Sequence, residues 1–359
     1  MAKSLAEQVL PKSVIDGIRR LTDPHLKYRA NGRGLCSAKM QSERSQFFLL
    51  MVAQLWEMDF RIRKLQNLSG KHVQALMTSW HKEGICAGTL HTRLSMIRVL
   101  CEWMGKANLV KDISDYLPSE AVRRNTVAKE SKAWEDKGVD PLEIIERAEQ
   151  IDERLAIMLA LQHHFGLRVK ESIEIRPLDA VIENGKLLEI REGTKGGRLR
   201  WVRIDSPEQV ELINLARRIV DCGNPKRLRW PGRTWKQARN RFYNCARRLG
   251  ISGEGLGVTA HGLRHGFAQR TYEKESGFPS PIKGGALGKI DREKHRMAST
   301  TVSNALGHGR VDVTSSYYGS YGHALRETKP VSMTYKLQFG AQRQPGAESA
   351  SESESGETP

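Results

Sequence analysis

The 359-residue sequence has few cysteines and lacks long apolar runs. No stretch approaches the roughly 18 uncharged apolar residues that a membrane-spanning helix needs. The N-terminus is charged from Lys3 onward and lacks the apolar core of a signal peptide. The five cysteines are far apart and form no C-x-x-C pair, so neither a disulfide framework nor a zinc ribbon is predicted. We expect a soluble, cytoplasmic protein with reduced thiols.

Acidic residues are scarce relative to basic ones. The chain has 41 Asp and Glu against 58 Lys and Arg, a net charge of +17. Residues 341–359 contain four Glu and one Arg, so the preceding 340 residues carry +20. Residues 222–253 contain nine Lys and Arg and no acid. Because a body this basic repels itself unless it binds a polyanion, we predict a nucleic-acid partner and association with the nucleoid. The alternative is that the basic residues serve solubility alone.

Hydrophobic periodicity predicts a mainly α fold with a small antiparallel β-sheet. Short amphipathic helices fill residues 31–110, with Ser69 and Thr89 as predicted N-caps. An Asn-Gly turn at 184–185 separates apolar runs, which predicts strands at 179–182 and 187–191, and a third follows at 199–204. The predicted divisions are a helical lead-in, a helical DNA-binding domain, a basic interdomain linker, an α+β domain and a disordered acidic tail, over residues 1–30, 31–110, 111–136, 137–339 and 340–359.

Five separated motifs carry side chains suited to one chemistry. They are Gly166-Leu-Arg-Val-Lys-Glu171, Thr194-Lys-Gly-Gly197, His261-Gly-Leu-Arg-His265, Leu306-Gly-His308, and Tyr317 nine residues after His308. In this order they resemble the tyrosine recombinase (phage integrase) family. The resemblance covers nearly the whole chain and implies a SAM-like core-binding domain followed by a catalytic domain.

The resemblance implies a role for each motif residue. Arg168 and Arg264 would clamp the non-bridging oxygens of a DNA phosphate, since guanidinium binds oxyanions bidentately. Tyr317 would be the nucleophile, because its phosphodiester keeps the bond energy for rejoining. Lys195 would protonate the departing 5′-oxygen, and His261 would act as base or orient the tyrosine.

Two further residues complete the set that the resemblance implies. His308 would donate a hydrogen bond to the phosphate, and Glu171 would brace the arginines. No metal or cofactor is expected, since the phosphotyrosyl linkage conserves the bond.

Several alternatives stay open at this stage. Lys186 competes with Lys195, and Tyr318 competes with Tyr317. His261 and His265, four residues apart, could ligate a metal, although no further ligand cluster is evident. A faint P-loop at 284–290 fails because it lacks the first Gly and the Ser/Thr that holds magnesium.

The implied function is site-specific recombination through a 3′-phosphotyrosyl intermediate and a Holliday junction, for integration or excision of a mobile element. The expected assembly is a homotetramer on two double-stranded DNA sites, with DNA-bending accessory proteins and no membrane. The alternatives are a type IB topoisomerase and a silent DNA-binding regulator. Residues 319–339 are expected to dock on a neighbouring subunit, the insertion at 277–295 to contact DNA or a subunit, and the tail to be inert or to compete with DNA. The predicted DNA contacts are Arg93, Arg98, Arg123, Arg124, Arg198, Arg200, Lys236 and Arg239.

Overall fold

A computed structural model describes residues 4–29, 34–124, 126–221, 226–285 and 290–322, without the side chains of Lys195 and Asp221. The chain divides into two compact units, one ending at Thr126 and the other beginning at Val127. The predicted acidic tail, and the predicted docking segment beyond residue 322, lie outside the described residues. In the described part, no helix is long and apolar enough to cross a membrane.

The described residues of the first unit are helical, with three one-turn 3-10 helices between the α-helices. Ser69 is the N-cap of α4 (Gly70–Lys82) as predicted, and it forms a capping box with His72. The predicted cap at Thr89 is wrong: α5 (Ala87–Trp103) begins after Cys86, and Thr89 lies in its first turn. The α-helices are α1 (Leu5–Val9), α2 (Lys12–Leu26), α3 (Ala38–Glu57), α4 (Gly70–Lys82), α5 (Ala87–Trp103) and α6 (Ser119–Val122).

One hydrophobic core holds this first unit together. The lead-in helices belong to it, since Val14 and Ile18 are buried against the same cluster as Phe48 and Trp80. Residues 111–124, predicted as linker, also contribute to this core through Leu117 and Val122. The rest of the predicted linker, from Val127, lies in the second unit.

The second unit packs eight helices and a three-stranded sheet among its described residues. The sheet order is β1-β2-β3, antiparallel, with Leu188 opposite Val202. The predicted hairpin and the predicted fold class are confirmed. The elements are α7 (Pro141–Glu149), α8 (Glu153–Phe165), α9 (Val169–Glu174), β1 (Val181–Ile182), β2 (Leu187–Ile190), β3 (Arg200–Arg203), α10 (Pro207–Asp221), α11 (Trp235–Arg248), α12 (Ala260–Ser276), α13 (Arg292–Leu306) and α14 (Val311–Tyr318).

Helix α8 is the centre of the second core. Its residues from Leu155 to Gln162 are all buried, which explains why the sequence is apolar on every side of this helix. Helices α7, α10 and α12 pack around it. Its last turn brings Gly166 and Arg168 to the place where α12, α13 and the hairpin also meet.

Candidate active site

A fully buried carboxylate, Glu171 on α9, is the centre of the site. One oxygen accepts a hydrogen bond from the guanidinium of Arg168 at 2.6 Å, and the other accepts from the guanidinium of Arg200 at 2.7 Å. Arg264 forms a third ion pair at 3.8 Å. The backbone N–H of Arg168 also donates to Glu171, at 2.7 Å. One carboxylate is therefore shared by three guanidiniums from three different elements.

Burial and the neighbouring charges shift the pKa of Glu171 in opposite directions. Burial raises the pKa of Glu171, but Arg200, Arg264 and Arg168 outweigh it and lower that pKa to about 2. Burial, reinforced by Arg200 and Arg168, lowers the pKa of Arg264 to about 9. At neutral pH Glu171 is therefore ionised and Arg264 protonated, and this cluster of three guanidiniums around one carboxylate suits an anionic ligand.

Gly166 allows the turn that delivers Arg168. It ends α8 with φ of 60°, in the left-handed region that favours glycine. A Cβ here would lie 2.3 Å from the ring of Phe267. The carbonyl of Gly166 accepts hydrogen bonds from Arg264 and from Arg200. The Gly-Leu-Arg motif thus fixes both a backbone reversal and an acceptor for the buried arginines.

The end of α13 supplies further acceptors and presents His308. The carbonyl of Leu306 accepts from Arg264 at 2.6 Å and from Arg168 at 3.5 Å. Gly307 ends this helix with φ of 67°, and a Cβ there would lie 2.6 Å from Cδ of Arg200. Because the last carbonyls of a helix lack intrahelical partners and carry partial negative charge, they suit guanidiniums.

Tyr317 lies in this cluster and is 5% exposed. Its hydroxyl is 3.4 Å from Nε of Arg264 and 3.3 Å from Nε2 of His308. The rings of His261 and His265 flank the tyrosine ring, with centroids 5.8 and 4.6 Å away. The structure thus brings together residues that the sequence separates by up to 149 positions, from Arg168 to Tyr317.

Tyr318 points elsewhere. Its hydroxyl is 2.8 Å from Oγ1 of Thr314, and its ring stacks on Tyr272. Burial raises the pKa of the Tyr318 hydroxyl. Of the two neighbouring tyrosines, only Tyr317 has its hydroxyl among the arginines, which favours it as the nucleophile.

The backbone of the tyrosine helix is tied to the segment that begins the second unit. Gln269, fully buried on α12, donates to the carbonyl of Tyr317 at 3.3 Å and to Oγ of Ser131 at 2.8 Å. The N–H of Ala128 donates to the carbonyl of Ser315 at 3.2 Å. These contacts could not be predicted from the sequence, because residues 127–136 show no periodic pattern.

Two histidines beside the tyrosine ring have depressed pKa values. Loss of hydration, then Arg264 and Arg168, lowers the pKa of His261 to about 4, although the residue keeps an exposed face. His265 is 5% exposed, and burial together with His261 lowers its pKa to about 3. Both are therefore neutral at pH 7. Among the described residues, no group of three or more His, Cys, Asp or Glu side chains could hold a metal ion.

Lys195 begins a 3-10 turn, Lys195–Gly197, at the tip between β2 and β3. Its side chain lies outside the described residues. Lys186, the alternative, lies in the turn before β2. The hairpin therefore places the backbone of Lys195 at the same end of the strands as Arg198, whose guanidinium donates to the carbonyl of His308 at 2.8 Å.

The predicted DNA contacts separate into different groups. The prediction that Arg200 contacts DNA is wrong: its side chain is 2% exposed and bound to Glu171, so it cannot reach a DNA backbone. Arg93 lies half-buried over the ring of Trp80. Arg98 donates to the carbonyl of Lys111 and pairs with Asp112. The remaining five are exposed: Arg123, Arg124, Arg198, Lys236 and Arg239.

Sequence comparisons place both parts of the chain in one family. Residues 20–110 match the family described as phage integrase, N-terminal, and residues 122–270 match the family described as integrase. Together these matches span well over half of the chain. It belongs to the tyrosine recombinase, or phage integrase, family. The integrase match ends before His308 and Tyr317, so their position beside Arg264 comes from the geometry alone.

Individual members of the tyrosine recombinase family are distant relatives. Tyrosine recombinase XerC of Proteus mirabilis is 22% identical over 266 residues, which cover 70% of this chain and 80% of that protein. The fold is similar to a lambda integrase dimer bound to a COC′ core site (TM-score 0.54, 16% identity, 84% of this chain and 95% of that one). It is also similar to the Tn1549 transposon integrase in complex with transposon right end DNA (TM-score 0.55, 11% identity, 88% of this chain and 99% of that one). These likenesses confirm the predicted family fold.

Proposed function

We propose that this protein is a site-specific DNA recombinase that cleaves DNA with Tyr317. One observation carries the proposal: the Tyr317 hydroxyl lies between Arg264 and His308, beside three guanidiniums that share one carboxylate. Nucleophilic attack on a phosphodiester builds negative charge on the non-bridging oxygens. Preorganised cationic donors lower the energy of that state more than water does, because they do not reorganise during the reaction.

The proposed step conserves the phosphoester bond. The Tyr317 oxygen bonds to phosphorus, the bond from phosphorus to the 5′-oxygen breaks, and a 3′-phosphotyrosyl linkage remains. Lys195 would give the proton that the departing 5′-oxygen needs. Return of a 5′-hydroxyl from another strand reverses each change and frees the tyrosine. The cycle therefore needs no external energy source.

Two histidines suit the removal of the tyrosine proton, for different reasons. His308 contacts the hydroxyl directly. His261 flanks the ring and, with its lowered pKa, is neutral at pH 7 and able to accept a proton. Single-turnover cleavage by His261→Gln and His308→Gln at pH 7 distinguishes them: loss of the base slows cleavage far more than loss of the other histidine.

The exposed arginines and lysines would bind the DNA backbone. Arg123, Arg124, Lys236 and Arg239 project into solvent, and phosphate contacts of this kind give affinity that falls with salt. We propose that the assembly is a tetramer on two sites, supported by the likeness to a lambda integrase tetramer bound to a Holliday junction. Integration or excision of a mobile element is the proposed biological setting.

Covalent capture tests the proposal. The protein is expressed in a bacterium carrying its candidate substrate DNA, the cells are denatured rapidly, and protein-linked DNA is sequenced at its junctions. We expect adducts at one or two defined sequences in the wild type and in Tyr318→Phe, and none in Tyr317→Phe. Scattered adducts would indicate a topoisomerase instead. Tight DNA binding without any adduct would contradict the proposal and favour a regulator.

A further inference from the structure

Arg200 is a buried cation that the proposed reaction does not use directly. It lies on β3, is 2% exposed, and shares its inward face of the strand with Val202. Its guanidinium pairs with Glu171 at 2.7 Å. Its Nε is buried and has no hydrogen-bond partner among the described residues. Burying an arginine costs desolvation free energy unless ion pairs and hydrogen bonds offset it.

The contacts of Arg200 run parallel to those of Arg264. Arg200 donates to the carbonyls of Ala305 and Gly166, while Arg264 donates to the carbonyls of Leu306 and Gly166. Both also pair with Glu171. The two guanidiniums therefore hold the same two helix ends and the same carboxylate, one from the hairpin and one from α12.

Arg200 also belongs to the hairpin whose tip begins at Lys195. Arg200 lies five positions after Lys195, and Arg198 between them donates to the carbonyl of His308. The hairpin is thus attached at two points to the segment around α13 that presents His308. Displacing Arg200 would release both the strand and the end of α13.

We infer that Arg200 is a positioning residue for DNA cleavage. It fixes Glu171 and the C-terminal end of α13, and so aligns Arg168, Arg264 and His308 on one phosphate. It does this without touching DNA, because its side chain is enclosed. This inference rests on the proposed function of the same site.

Single-turnover kinetics on DNA carrying the captured site would test this role. Arg200→Met removes the charge, Arg200→Lys keeps the charge but loses the planar fork, and Arg203→Met alters the exposed face of the same strand. Since a misplacement of about 1 Å can slow a reaction about 10²-fold, we expect Arg200→Met to form adduct about 100-fold more slowly. The rate of adduct formation by Arg200→Lys should lie between those of Arg200→Met and the wild type. Arg203→Met should cleave within about twofold of the wild-type rate. DNA affinity of both Arg200 variants should stay within about twofold of wild type, because the residue makes no surface contact.

A double variant separates positioning from general structural support. If Arg200 acts through Glu171, then Arg200→Met combined with Glu171→Gln should cleave no more slowly than the worse single variant. Independent, multiplying losses would overturn the inference. So would wild-type cleavage rates in both Arg200 variants. If Arg200→Met does not fold, Arg200→Lys carries the comparison alone. A wild type that forms no adduct contradicts the proposed function instead.

Discussion

Replacing Glu171 by Gln should destabilise the second unit strongly. The arginines lower the pKa of this carboxyl from its ordinary 4.5 to about 2. A carboxyl with a depressed folded pKa contributes stability that is present above pH 4.5 and lost as pH falls towards 2. At about 1.4 kcal/mol per pKa unit, this amounts to about 3 kcal/mol at neutral pH.

The substitution also leaves the guanidiniums without their shared counter-charge. The side chain of Arg264 is 0% exposed, that of Arg200 is 2% and that of Arg168 is 22%, so water cannot replace the carboxylate. Removing one partner of a buried ion pair costs roughly 3–5 kcal/mol. Glu174→Gln is the matched control. It lies one turn further along α9 and also pairs with two arginines, Arg227 and Arg229, but these are partly exposed and outside the site.

Urea unfolding, followed by hydrogen exchange of peptides from α8 and α9, reports on this unit alone. We expect Glu171→Gln to lose roughly 3–5 kcal/mol and Glu174→Gln clearly less. Equal losses in both variants would refute the electrostatic account of the site.

Gly166→Ala should lose about 2–4 kcal/mol, because a Cβ meets Phe267 and strains a left-handed residue, whereas Gly138→Ala, with open space around it, should lose only about 1 kcal/mol in the same urea titration. Tyr318→Phe should lose about 1 kcal/mol in thermal unfolding through its lost hydroxyl contact; an unchanged melting temperature would contradict that contact. His265 has a pKa lowered to about 3, so its contribution to stability is complete above pH 6.5 and lost as pH falls towards 3. Between pH 6.5 and 5 this costs about 2 kcal/mol, and His265→Gln should reduce the loss of stability over that interval by about this amount, while His261 continues to contribute.

The motif residues could be predicted from the sequence because each motif combines a local backbone feature with a chemical group. Gly166 ends a helix and precedes Arg168, and Gly307 ends a helix and precedes His308. The short spacing between each glycine and the functional residue after it is visible in the sequence. The convergence of these ends on Glu171 is tertiary, and only the family resemblance indicated it.

Arg200 shows what composition could not reveal. An arginine in a basic segment suggests a DNA contact, but the alternation of side chains along a strand predicts that Arg200 is buried. Side chains alternate across a strand, and Val202 faces the core, so Arg200 must face inward too. Applying that period to the predicted strand would have removed Arg200 from the DNA contacts. The division of the predicted linker between the two units could not be predicted in this way. Its side chains, such as Leu117 and Trp134, enter the two cores singly rather than in a repeating pattern.

The guanidinium of Arg264 is engaged within the protein. It donates to the carbonyls of Gly166 and Leu306 and to the hydroxyl of Tyr317. In the proposed reaction, Tyr317 and the DNA phosphate would therefore compete for the same guanidinium. A phosphate carries a full charge and the phenol does not, so we expect DNA to displace the Tyr317 hydroxyl from Arg264. Strand cleavage would then be restricted to protein that has already bound DNA.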